Sequence, residues 1–246
     1  MDGITGNPAA GRGYGAALRL SGGILRRRFG VLFALFVVCD LPLRAVGLHY
    51  GLGEGDMRTT LGFDFLSQVL LFVAQLGAAQ LVAREVDGGP AMGLFAAARA
   101  GFSRWGALVT AWIVFANQLS VGLVLGLLPG LVWLVQGRFF VQAVALREER
   151  HPFHHSRAVV RGDAWRLVPV TAVVLGLPMA VDALAALAFP ALAFPAQGGS
   201  WLPLLVSPVS SAVLAGLAVF DTALFLEMER RKGLGPPEPA RAEATA

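Results

Sequence analysis

Six long apolar stretches divide this chain, and almost all of its positive charge lies in alternate gaps between them. A run of about 20 apolar residues matches the hydrocarbon thickness of a bilayer. No water is available there to satisfy backbone N–H and C=O groups, so each run must close its own hydrogen bonds as a helix. The expected fold class is therefore all-α, a polytopic membrane bundle of six transmembrane helices with short amphipathic interfacial helices. The spans are expected near 30–49, 62–83, 105–128, 131–146, 167–190 and 202–226. Lys and Arg together number 20, and 18 of them fall in 1–30, 84–104, 138–166 and 227–246. Arg44 and Arg58 are the exceptions. Loops rich in Lys and Arg stay on the cytoplasmic side. The expected localisation is the cell (cytoplasmic) membrane, multi-pass, with both termini in the cytoplasm.

Composition supports this reading. Hydrophobic residues make up 56% and charged residues 15%, whereas soluble domains are about 45–50% apolar with roughly 25% charged. A pI near 10.2 would suggest nucleic acid in a soluble protein, but here the arginines flank spans. The expected partners are the lipid bilayer and anionic headgroups, with no nucleic acid. Cys39, the single cysteine, excludes an intrachain disulfide. The first apolar run is interrupted by Asp40, Pro42 and Arg44, and no small-x-small site follows, so it reads as a span and not as a cleaved signal.

Residues 1–12 read as a disordered lead, 13–233 as the membrane domain and 234–246 as a disordered Pro/Ala/Glu tail. Within 13–29, Tyr14, Leu18, Leu25 and Phe29 recur at helical spacing, with Arg19 and Arg26 turned away. That pattern predicts a helix lying flat among headgroups. Short basic helices are also expected around Arg99 and Arg157, each leading into a two-span hairpin, a parallel repeat of irregular period. Gly51, Gly53 and Gly55 mark an external turn at 51–61, and residues 190–199 form an uncharged outer loop. Gly122, Gly126 and Gly130 form GxxxGxxxG, a spacing that lets helices approach closely.

Ionisable groups at membrane depth are functional candidates, because each costs a few kcal/mol to insert. Asp40, Arg44, Asp182 and Asp221 are the intramembrane polar candidates. Asp40 and Arg44, four residues apart, can neutralise each other. Arg138, near the end of its span, can reach the headgroups by snorkelling. Asp182 follows Pro178 by four residues, where a proline-broken helix would free carbonyls for a cation. His151, His154 and His155 have the spacing of zinc ligands on a helix, but no further ligand follows at suitable spacing. They read as a solvated loop that begins a helix. No catalytic, cofactor-binding or metal site is assigned, and no hydrolase elbow, Walker loop or dinucleotide fingerprint occurs.

The stretch from Gly126 to Trp165 resembles the glycerophosphoryl diester phosphodiesterase membrane-domain family and related uncharacterised six-span bacterial proteins. Pro129-Gly130 matches the family's Pro-Gly at the end of span three, and Glu148 or Glu149 its acidic residue after span four. Ser156, Gly162, Trp165 and Arg166 match the helix before span five, where His155 replaces an arginine. Leu224, Phe225, Glu227 and Arg231 form a looser version of its closing motif. The resemblance implies an architectural bundle without the catalytic TIM barrel, so the enzymatic name does not transfer. On that reading 153–166 is one helix leading into span five, Gly162 permits a bend, and Ser156→Ala is tolerated. Two functions stay open. The leading one is a non-enzymatic scaffold or partner in envelope or lipid-related processes, and the alternative is a small transporter or ion-coupled carrier using intramembrane aspartates. A polar cavity at mid-depth favours transport; a sealed apolar bundle favours the scaffold.

Overall fold

A computed structural model describes residues 8–50, 57–147, 151–189 and 202–234. The described residues contain eight helices and no strand. They are α1 (Pro8–Tyr50), α2 (Met57–Val86), α3 (Leu94–Val124), α4 (Leu127–Gln136), α5 (Phe140–Leu146), α6 (Pro152–Val160), α7 (Ala164–Ala188) and α8 (Leu202–Lys232). Six segments are long and apolar enough to cross a membrane, with α4 and α5 together making the fourth. The chain is a multi-pass integral membrane protein with an all-α fold. The outer loop expected at 190–199, most of the turn at 51–61, Glu148, Glu149 and the C-terminal tail lie outside the described residues.

The flat helix expected over 13–29 is instead the first part of α1, which begins at Pro8, within the expected disordered lead. Its buried stripe is Ala17, Ser21, Ile24, Leu32, Leu35 and Cys39, while Leu18 and Phe29 of the expected stripe are exposed. The buried stripe continues through the span, so one helix serves both parts without leaving unpaired backbone groups at a break. The same holds for α3, which carries Arg99 on a basic extension of the third span.

Helix α1 packs most extensively on α8. Ile24, Leu32 and Phe36 share a cluster with Ala215 and Val219, and Ala17 joins Leu224 and Phe225, so the two run antiparallel. Helices α2 and α3 approach until backbone meets backbone. A Cβ on Gly101 would lie 2.2 Å from the Val73 carbonyl oxygen, and one on Gly77 would lie 2.5 Å from that of Ala97. Such contact substitutes dispersion for the hydrophobic force that lipid does not provide. At the arginine-rich end, Arg27 and Arg28 reach Glu85 at 3.3 and 3.0 Å and tie α1 to α2.

The glycine run serves a hairpin and not one helix face. Gly126, at φ +131°, makes the turn between α3 and α4, and Pro129-Gly130 falls inside α4, not at the turn. A Cβ on Gly122 would lie 3.0 Å from the Gly130 Cα, so these two glycines let the hairpin close. The expected 153–166 helix is likewise divided. Helix α6 ends at Val160, and Gly162 turns the chain at φ +87° with open space beside it. A side chain there meets backbone strain, not the crowding expected of a bend.

Candidate functional site

The fourth span is broken between α4 and α5, at Gly137–Phe139. No proline causes the break. Gly137 sits where a Cβ would be 2.3 Å from the Phe115 ring, and the backbone tightens there, with Arg138 N–H donating to the Val135 carbonyl at 3.2 Å. Ser156 of α6 holds the gap closed. Its hydroxyl donates to the Gln136 carbonyl at 2.7 Å and accepts from the Phe139 N–H at 3.2 Å. At the far end of α5, Gln80 donates to the Ala145 carbonyl at 2.6 Å and Arg104 to the Val144 carbonyl at 3.1 Å. Each broken end therefore finds partners on neighbouring helices.

This corrects the expectation for Ser156. It is fully buried, and alanine there would leave the Phe139 N–H without its acceptor. An unsatisfied buried donor costs about 1–3 kcal/mol. Ser156→Ala should lower unfolding free energy in detergent by that amount. Ser103→Ala, at an exposed hydroxyl bonded to the Ala100 carbonyl, should leave it within about 0.5 kcal/mol of wild type. Equal stabilities of the two variants would refute this role.

The break aims Arg138 inward. It does not snorkel, because its side chain is 4% exposed and its Nη2 donates to Asp221 Oδ1 of α8 at 2.5 Å. Its Nη1 donates to Thr171 Oγ1 of α7 at 2.7 Å. Arg138, Asp221, Thr171 and Gln142 line a cavity of about 310 Å³ bounded by α2, α3, α4, α5, α7 and α8, with Gln68 and Gln75 on its α2 wall. Arg138 lies about 12 Å of helical rise from Leu146, and Asp221 about 16 Å from Lys232. Both residues therefore fall within the fourth and sixth candidate spans and not at their ends. Arg138 Nε and Gln142 Oε1, buried atoms of two residues that line the cavity, have no hydrogen-bond partner among the described residues.

The other candidates lie elsewhere. Asp40 and Arg44 do pair, at 2.7 Å, and Ser207 of α8 donates to Asp40 Oδ2 at 2.6 Å. Asp182 does not join Asp221. It is exposed on α7 and accepts from Ser210 Oγ at 3.0 Å. Helix α7 runs through Pro178 without interruption, so the proline-broken cation site expected beside Asp182 does not form. Trp165 stands largely exposed at the start of α7, and Arg166 reaches Asp163 at 3.6 Å. Among the described residues no group of three His, Cys, Asp or Glu side chains could hold a metal ion.

A second polar centre was not legible as a site. Glu229 of α8 is 1% exposed. Its carboxylate accepts from Arg147 Nε at 3.0 Å and Nη2 at 2.5 Å, and contacts His155 Nε2. His155 is thus buried and not part of a solvated loop. The available signal was register, since Glu229 continues the buried stripe through Thr222 and Phe225. Nearby, Lys232 donates to the Val159 and Arg161 carbonyls at 2.5 Å each and closes the end of α6. Gln142 was missed because one amide within a buried seven-residue helix leaves no periodic mark. No family model, no curated protein and no solved structure matches the chain.

Proposed function

We propose that this membrane protein is a non-enzymatic carrier for a small polar solute without net charge, bound between Arg138, Gln142 and Asp221. The supporting observation is the polar cavity inside the bundle, lined by the Arg138–Asp221 pair together with Thr171, Gln68, Gln75 and Gln142. A guanidinium can only donate and a carboxylate only accept, while glutamine amides do both. A solute bearing hydroxyl or amide groups complements such a lining. The guanidinium and the Asp221 carboxylate cancel, so the site has no surplus charge to offset an ionic solute. At about 310 Å³ the space lies at the small end of ligand pockets, which run from about 300 Å³ upward. The movable wall is α7, which carries Pro169 and Pro178 and packs chiefly on α8 and α4.

The same proposal puts the basic end in the cytoplasm, on the charge bias of the loops. It keeps the resemblance to the phosphodiesterase membrane-domain family as a likeness of the bundle alone. Gly130, Ser156 and Gly162 support that, since each has a packing or turning role here. A sealed apolar bundle would favour the scaffold reading, whereas the polar cavity favours carriage.

Proteoliposomes test the carrier. Uptake of glycerol, glycine or glucose should be faster with wild-type protein than in protein-free vesicles. Removing both charges with Arg138→Met and Asp221→Leu should keep the protein folded, because replacing both partners of a buried pair by apolar groups is often neutral or stabilising. That double variant should lose at least tenfold in uptake. Wild-type rates no faster than empty vesicles for all three solutes, or a fully active double variant, would overturn the proposal.

A further inference from the structure

Helix α3 packs on its neighbours with one face and leaves the opposite face bare. Ala97, Gly101, Leu108, Ala111 and Gly122 are buried. Across the helix, Gly106, Thr110, Ile113, Asn117, Ser120 and Val124 are all exposed. They follow one another in alternating steps of four and three residues, the spacing of a coiled-coil seam.

The make-up of this seam is not that of a surface suited to lipid alone. Helix α7 shows such a surface, with Val173, Leu177, Leu184 and Leu187 among its exposed side chains and Asp182 held by Ser210. The α3 seam instead carries two hydroxyls, a carboxamide and a glycine. Asn117 falls within the third candidate span, about 10 Å of helical rise from its end at Val124. Its Nδ2 donates to the Ile113 carbonyl of the same helix at 2.9 Å. The second N–H of that amide and its Oδ1 have no partner among the described residues, and hydrocarbon offers none. Thr110 likewise donates to the Gly106 carbonyl at 2.9 Å and keeps its oxygen free to accept.

Whatever covers such a face must match it. Copies inserted under the same loop charges cross the membrane in one orientation. A twofold axis along the membrane normal therefore sets α3 parallel to α3 of a second copy, and each seam residue meets its own counterpart. A carboxamide both donates and accepts, so two Asn117 side chains complete each other with reciprocal N–H···O=C bonds. Gly106 and Ser120 are small enough to let the backbones approach. The seam holds no charged residue, so self-pairing brings no like charges together. A partner of different sequence would need its own carboxamide in register, whereas a second copy supplies it by symmetry.

We propose that this face of α3 is the interface of a parallel homodimer, with the Asn117 side chains of the two copies fixing its register. The interface is independent of the carrier reading, since none of the seam residues lines that cavity.

Full-length protein labelled with donor or acceptor dye through a C-terminal tag, in phosphatidylcholine vesicles, tests it. Energy transfer in the wild type should exceed the level of random proximity and fall as lipid dilutes the protein. Asn117→Leu should weaken association about tenfold, since two interhelical hydrogen bonds are lost and each is worth roughly threefold in a membrane. The position is exposed, so leucine there leaves the fold intact. Asn117→Gln keeps the carboxamide and should stay within about threefold of wild type. Gly176→Leu, on the exposed face of α7 with nothing within 4 Å of its Cβ, should change nothing. Contact is read directly in a Cys39→Ala background, where Ile113→Cys should form a disulfide between copies on mild oxidation and Gly176→Cys should not. Transfer at the random level in wild type, an Asn117→Leu variant that associates as wild type does, or cross-linking at Gly176 to the same extent as at Ile113 would each overturn the proposal.

Discussion

Gly101→Val is expected to prevent the bundle from assembling. The first added atom would stand 2.2 Å from the Val73 carbonyl oxygen and 3.2 Å from the Gly77 nitrogen, both backbone atoms that no rotamer change can move. Helices α2 and α3 would have to part, and α3 bears Arg104 and Phe115, whose ring stacks on Phe140 of α5 beside the carrier cavity. Overpacking costs typically 1–3 kcal/mol where side chains can adjust. Here none can, so the loss should be on the order of 3 kcal/mol or more. Gly106→Ala, five residues along the same helix with nothing within 4 Å of its Cβ, should be neutral or stabilise by about 0.5–1 kcal/mol through helix propensity. Folded yield on gel filtration and unfolding in a denaturing detergent measure both. Normal yield of the Gly101 variant would contradict the backbone contact.

The second large effect is expected at Glu229. Glu229→Leu removes the acceptor shared by Arg147 and His155 inside the protein. Breaking a buried ion pair from one side costs about 3–5 kcal/mol, because the remaining charge is left in a poor environment. Arg147 is 20% exposed and can turn partly toward water, so the lower end, about 3 kcal/mol, is expected. Arg147→Met in the Glu229→Leu background should recover part of that loss, since it removes a charge that no longer has the Glu229 carboxylate to pair with. If the double variant is no more stable than Glu229→Leu, charge is not what Glu229 contributes. The three residues sit on α8, on α6 and just after α5, so losing the contact should also loosen α6 and, through Ser156, the break in span four.

The bundle itself was legible because its causes are local. Six runs with the length and hydropathy of spans occur, and Asp40 and Arg44 pair as neighbours four apart on one helix must. Helix ends were less so. Periodicity marked 13–29 as amphipathic, but which side of it would be buried depended on α8, whose Leu224 and Phe225 cover Ala17. The Gly-x-x-x-Gly run was correctly tied to close approach, yet its partner was the next helix of the hairpin, because Gly126 takes a turn at φ +131°.

Site residues divide the same way. Sequence alone determined that Asp221 would be costly at membrane depth and so would need a reason to be there, since an ionisable side chain in an apolar run carries an insertion cost until it finds a partner. It also determined the all-α class, since lipid permits no open backbone. Tertiary structure alone decided that Asp221 meets Arg138 while Asp182 meets Ser210, that Pro178 leaves α7 intact while Gly137 marks a break, and that Ser156 closes that break from another helix. Those outcomes depend on how helices far apart in sequence rotate about their own axes. A rotation of one residue, about 100°, exchanges a lipid-facing side chain for a buried one, and only the packing of all the helices together selects it.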